Sequence, residues 1–267
     1  MAKTGTIRVG IGGWSFEPWR ETFYPDKLAK AKELSFASRQ VTAIEINATF
    51  YRTQSPSTYQ KWAAETPDDF VFAVKANRFT VNRKNLADGA ESVARFLASG
   101  MTELGPKLGP ILWQLAGTKK FDPDEIETFC ASLPHERDGV RMRHVLEVRH
   151  QTFVEPRLVE IARKHNVAIC LAHSDDYPLI ADPTADFCYL RLQTTQDIET
   201  GYDADEIATW AKRCQDLAAG RPAEGLPLLG PKPKAMPRDV FVFMISGAKH
   251  RNPAAAKALI AALGDRA

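Results

Sequence analysis

Hydrophobic and polar positions alternate in short runs along this chain, and segments with helical spacing separate the runs. The stretch Ala43 to Arg52, A-I-E-I-N-A-T-F-Y-R, sets the pattern. Ile44 and Ile46 share one face of a predicted strand, which turns Glu45 and Asn47 to the other. A carboxylate on an inward strand face is costly unless it is paired, hydrogen-bonded or binding something, so this face requires an explanation. Phe70 to Asn77 repeats the arrangement, with Lys75 and Asn77 opposite Phe72 and Val74. Gln114 is the polar residue in the run Ile111 to Leu115, and His144 to His150 puts Glu147 and Arg149 on one face. Val167 to Ala172 continues into His173 and Asp175, while Phe187 to Gln193 ends in Arg191 and Gln193.

Thr6 to Gly13 and the apolar run Val240 to Ile245 bring the predicted strands to eight. Between them, helices are predicted from three-to-four-residue spacing and from start signals. Leu28 to Gln40 reads as the first helix. Ser55-Pro56, Asp122-Pro123 and Asn252-Pro253 read as caps with a proline in the first turn, and Asp203 caps a helix holding Ile207 and Trp210. Asp176 to Ala185 is too short for the usual crossover helix, so a degenerate sixth helix is expected. Gly220 to Arg238 reads as a Pro/Gly-rich surface insertion before strand eight.

This β/α alternation predicts an α/β fold, a TIM-type (β/α)8 barrel forming a single domain over residues 1–267. A doubly wound open sheet is the alternative. It ordinarily has a glycine-rich first turn opening a helix, whereas Gly12-Gly13-Trp14 leads into a proline-containing loop.

Composition changes little in this picture. At 267 residues and 44% hydrophobic, the chain has material for a large core, and a net charge of +2 demands neither nucleic acid nor an acidic membrane as partner. No secretion signal or membrane span is visible, so cytoplasmic location is expected and a membrane partner is not. Cys130, Cys170, Cys188 and Cys214 are widely spaced and read as reduced core thiols. Oligomeric state is not legible.

On a barrel the C-terminal strand ends meet at one mouth, where active sites of such folds lie. Glu45, Glu147 and Lys75 are the candidate catalytic residues. Trp14, Asn47, Tyr51, Asn77, Gln114, Arg149, His173, Asp175, Arg191 and Gln193 are the candidate substrate-binding residues. Acids mixed with bases suit a small anionic substrate held by Lys or Arg while Glu147 or Glu45 acts as base. The competing explanation is an ion-pair network that plugs the barrel. Glu45, Glu147, His173 and Asp175 would also offer a divalent metal an oxygen-rich site with one imidazole, but the nearby cations oppose a dication; metal is not favoured and no cofactor is assigned. Ser246, Gly247 and Lys249, before the last helix, have the composition of an anion-binding loop. Arg78, Arg83 and Lys84 form a second basic loop, which with Trp14, Phe50 and Tyr51 keeps nucleic-acid binding or phosphodiester hydrolysis as an alternative. A non-catalytic metabolite-binding protein is the third reading. Phosphate-loop, nucleophile-elbow and zincin motifs are absent from the sequence.

Several of these segments together resemble one family. They are G-x-G-G-W-S at Gly10 to Ser15, E-I-N-A-T-F-Y-R at Glu45 to Arg52, F-x-F-A-V-K at Phe70 to Lys75, K-L-G-P-I-L-W-Q-L at Lys107 to Leu115, L-E-V-R-H at Leu146 to His150, and Y-L-R-L at Tyr189 to Leu192. The chain resembles the domain of unknown function 72, or YecE-like, family from about Ile7 to Leu263. The resemblance implies a TIM-type barrel and no established reaction, and it carries over Glu45, Asn47, Lys75, Gln114, Glu147 and Arg149 as pocket candidates. Thr80-Val81-Asn82, Gln193-Thr194 and Ser246-Gly247 depart from the family's His and Asn positions, so roles resting on those side chains do not transfer.

Overall fold

The computed structural model describes residues 4–264. Eight strands follow one another around a barrel: β1 (Ile7–Gly12), β2 (Ala43–Ile46), β3 (Val71–Lys75), β4 (Leu108–Gln114), β5 (Arg143–Glu147), β6 in two pieces (Ala168–Ile169 and Leu171–His173), β7 (Phe187–Leu192) and β8 (Asp239–Met244). All neighbours pair in parallel, and β8 returns to β1 with Ile7 opposite Val240. The ring closes through β6. Its first piece pairs with β5, Val145 opposite Ala168, and its second with β7, Ala172 opposite Arg191. A small antiparallel ribbon, Glu136–Arg137 with Val140–Arg141, precedes β5.

Alternation sorts each strand between two cores. Outward residues such as Val9, Ile44, Phe72, Trp113, Leu146 and Val242 are buried beneath the helices. The interior is asymmetric: β2, β3 and β6 contribute Ala43, Ala73, Ala168, Cys170 and Ala172, whereas β7 and β8 contribute Phe187, Tyr189, Phe241 and Phe243. Large rings from one wall thereby fill the space that small residues leave on the other, which keeps the interior close-packed. Gly10 belongs to this fit. A Cβ there would stand 2.2 Å from the Ala43 carbonyl oxygen and 2.9 Å from the Phe243 ring.

The outer layer contains α1 (Glu33–Ala37), α2 (Pro56–Glu65), α3 (Ala90–Leu97), α4 (Pro123–Ala131), α5 (Pro156–Lys164), α6 (Ala204–Ala218) and α7 (Asn252–Leu263). Ser55 and Asp122 cap α2 and α4 through their side chains, and Asp203 with Glu206 forms a reciprocal capping box on α6. No helix is long and apolar enough to cross a membrane among the described residues.

Two local expectations change, at the first helix and at Asn252. The first helix is a 3-10 turn (Lys30–Lys32) followed by α1 rather than one element from Leu28 to Gln40. Residues 174–186 contain no helix at all, and residues 219–238 contain neither helix nor strand. Asn252 lies inside α7 instead of capping it. Its buried amide donates to the Met244 carbonyl and accepts from the Thr195 hydroxyl, tying the helix start to β8 and to the loop after β7.

Candidate functional site

At the C-terminal end of the barrel lies a cavity of about 490 Å³. Trp14, Asn47, Tyr51, Lys75, Gln114, Arg149, Arg191, Ser246 and Lys249 line it, together with Gly12, Gly13, Ile245 and Asn252. Four cationic side chains face this space, and no carboxylate is among its lining residues.

The carboxylates lie underneath. Arg191, inward on β7 and buried, bridges the barrel between two acids that are fully excluded from solvent. Its Nε and Nη2 donate to Glu45 at 3.1 Å each, and its Nη1 donates to both oxygens of Glu147 at 2.9 and 2.7 Å. The Tyr189 hydroxyl donates to Glu45 at 2.7 Å. Glu147 accepts a further bond from the Gln114 amide at 2.8 Å and two from Arg149 at 3.2 Å. Burial pushes the Glu147 carboxyl up, but Arg191, then Arg149 and the Gln114 amide outweigh it and hold the group below the usual carboxylate range. Arg191 stays charged, since both acids raise its pKa against the cost of burial.

Two carboxylates are thus neutralised by two guanidiniums, and Lys75 is a surplus cation beside them. Lys75 ends β3, its carbonyl accepting from the Thr49 hydroxyl at 2.7 Å, with its Nζ 4.4 Å over the Phe50 ring and, among the described residues, in no hydrogen bond or ion pair. Burial first, and then repulsion from Arg191, bring its ammonium down to about 8 against the pull of Glu45 and Glu147. An amine in this state exchanges protons near neutral pH. Arg149 lies 4.2 Å over the ring of Tyr177, and Lys249 lies 4.3 Å over that of Phe16, so flat aromatic supports orient both cations towards the opening.

This geometry revises the assignment of Glu45 or Glu147 as the base. Both are fully excluded from solvent, are tied to Arg191 and are not among the residues that line the cavity, whereas Lys75, Arg149 and Lys249 are. The sequence candidates outside the cavity have other positions. His173 faces away from the barrel: the inward residues of β6 are Ala168, Cys170 and Ala172, and the imidazole packs 4.9 Å from Trp210 on α6 and bonds Thr194. Asp175 is exposed on the following loop. Asn77 is buried as a turn cap, accepting from the Phe79 amide and donating to the Thr49 carbonyl. Gln193 is buried without lining the cavity, and its Nε2 has no hydrogen-bond partner among the described residues. Gly247, at φ +62°, is turned against Thr195, where a Cβ would stand 2.4 Å from a carbonyl oxygen, so it shapes the loop without facing the cavity.

The four residues weighed as an alternative metal set do not gather in one place. Glu45 and Glu147 are tied to Arg191 while His173 and Asp175 point elsewhere, and no three His, Cys, Asp or Glu side chains gather as ligands among the described residues. Sequence reading also missed members of the site. Tyr189 stands two residues before Arg191 on the same face and was open to the alternation argument, whereas Tyr177 sits in an irregular loop with no periodic signal.

Residues 8–267 match the family described as protein of unknown function DUF72. The chain belongs to the DUF72 family. Among solved structures, a DUF72 family protein (TM1631) from Thermotoga maritima MSB8 superposes with a TM-score of 0.70 at 20% identity, covering 95% of this chain and 96% of that one. A DUF72 family protein (EF0366) from Enterococcus faecalis V583 gives 0.70 at 14% identity, over 96% and 95% of the two chains. At these identities the DUF72 neighbours establish the shared barrel. In sequence, the UPF0759 protein YunF of Bacillus subtilis (strain 168) is 37% identical over 70 residues, which span 26% of this chain and 24% of that relative.

Proposed function

We propose that this DUF72 barrel is an enzyme that binds a small carboxylate- or phosphate-bearing substrate at its C-terminal mouth and carries out acid/base chemistry with Lys75. One observation supports the reading above the rest: the mouth presents Lys75, Arg149, Arg191 and Lys249 to one cavity with the compensating acids withdrawn beneath it. Arg149 and Lys249 neutralise the substrate's anionic group, and Trp14 and Tyr51 flank it. Lys75 takes and returns a proton. Glu45 and Glu147 position Arg191 and set the charge beneath Lys75 without touching substrate. Cytoplasmic location accompanies the reading, because the four cysteines are buried free thiols of a kind that persists in reducing compartments.

Thermal stabilisation by a panel of phosphate and carboxylate metabolites is the first test. Arg149→Met is expected to weaken binding of a stabilising anion by about tenfold or more, the scale of a lost charge-assisted contact. Unchanged affinity in that variant rejects the mouth as the site.

Nucleic-acid binding is retained as a second reading because of a second cavity, about 790 Å³, between the loops after β3 and β4, where Arg83, Lys84, Lys119 and Lys120 converge. Oligonucleotide affinity that falls steeply with salt supports it; absence of binding at low salt rejects it.

A further inference from the structure

We propose that the Lys75 amine forms an imine with the carbonyl carbon of a small aldehyde or ketone that also carries a carboxylate or phosphate. This deepens the reading of the mouth given above and rests on it. The Lys75 ammonium has no hydrogen-bonding partner among the described residues. Two carboxylates lie close enough to pull on its charge, yet both direct their oxygens at Arg191, with Tyr189 on Glu45 and with Gln114 and Arg149 on Glu147. The amine is left in the cavity wall over the Phe50 ring, which supports a cation weakly and leaves the nitrogen lone pair uncommitted when the proton departs.

Availability follows from burial first and from the repulsion of Arg191 second. At pH 7.5 an amine titrating at about 8 is roughly a quarter neutral, against about one part in a thousand for one at 10.5. Arg149 completes the design at the other end of the ligand. Its Nε and one terminal nitrogen are held by Glu147 and its plane by Tyr177, leaving Nη1 as a fixed donor for an anionic group.

The step balances without a co-reactant. Neutral Nζ attacks the carbonyl carbon, a C–N bond forms, and the carbonyl π pair moves to oxygen, which takes one amine proton. The second amine proton leaves with that oxygen as water when the C=N bond forms. Nothing is oxidised or reduced.

Reductive trapping with the full chain tests this. The protein is incubated at pH 7.5 with pyruvate, glyoxylate or pyridoxal 5′-phosphate, and with acetaldehyde as an uncharged control, in the presence of sodium cyanoborohydride. Adducts are read by intact mass and peptide mapping. The anionic carbonyls are expected to label Lys75 at least about tenfold faster than exposed lysines such as Lys61, which do not line the cavity. Lys75→Arg removes the fast adduct and Lys61→Arg does not. Arg149→Met slows labelling by glyoxylate more than labelling by acetaldehyde, because Arg149 also contributes to lowering the Lys75 pKa. Peptide mapping of the unmutated chain carries the result even where a variant fails to fold. Labelling spread evenly over surface lysines overturns the imine. Thermal stabilisation by pyruvate with no mass gain at Lys75 overturns the imine alone, whereas neither stabilisation nor label removes the anion-binding reading as well.

Discussion

Arg191 holds the centre of the site because it is the shared partner of two buried acids. Removing it as Arg191→Met leaves Glu45 and Glu147 facing each other's charge without solvent, and breaking such a pair costs about 3–5 kcal/mol. Urea unfolding is expected to register that loss as a lower midpoint, while conservation of the midpoint would remove Arg191 from its central role. Acid should act in the same direction. Glu147 titrates below its ordinary value of 4.5 when folded, so its contribution is present above that pH and is lost as pH falls through the folded value. Lys75 has the opposite sign. It releases its proton near 8 when folded but near 10.5 when unfolded, so the unfolded chain binds more protons between those values and stability rises with pH across them. Lys75→Met is therefore expected to melt a few degrees above the parent at pH 7, on a scale of roughly 2–4 °C for each kcal/mol. That advantage should shrink by pH 10. Paired calorimetric scans at the two pH values check it.

The elements explain which parts of this arrangement were legible beforehand. Glu45, Lys75, Gln114, Glu147 and Arg191 each interrupt a strand whose outward face is strongly apolar, so alternation alone assigned them inward. β6 defeats that logic. Both of its faces are apolar, Ala168, Cys170 and Ala172 on one and Ile169 and Leu171 on the other, so nothing in the residue types reveals which side of the sheet His173 joins. The break at Cys170, where the strand changes partner from β5 to β7, is equally silent in sequence. Asn77 shows a different limit: it continues the β3 alternation past the strand, but its short amide is used by the following turn. His173→Phe is accordingly expected to leave anion affinity within about twofold of the parent, as for a change remote from the mouth. A large loss of affinity by calorimetry would return His173 to the site.

At the scale of the whole molecule, a chain of net charge +2 concentrates cations at one end of the barrel, so the anion binding we propose is a local effect. Raising salt from 50 to 200 mM is expected to weaken a small anion only modestly, because the mouth is recessed and shields its few contacts. A many-phosphate ligand would show the far steeper slope of counterion release.

The central ion pairs also impose an order on biosynthesis. Glu45 and Glu147 leave the ribosome before Arg191, which comes with the seventh strand. Until then an emerging barrel has two acids at its axis and no bridging guanidinium, so closure is expected to be disfavoured until Arg191 has emerged. A fragment truncated after Asp186 is expected to lack fixed near-ultraviolet dichroism, and Glu45→Gln with Glu147→Gln should make that fragment more compact. In the complete chain the same two changes are expected to destabilise the fold by leaving Arg191 buried without its acids, so the sign of one pair of substitutions should reverse with the arrival of a single arginine.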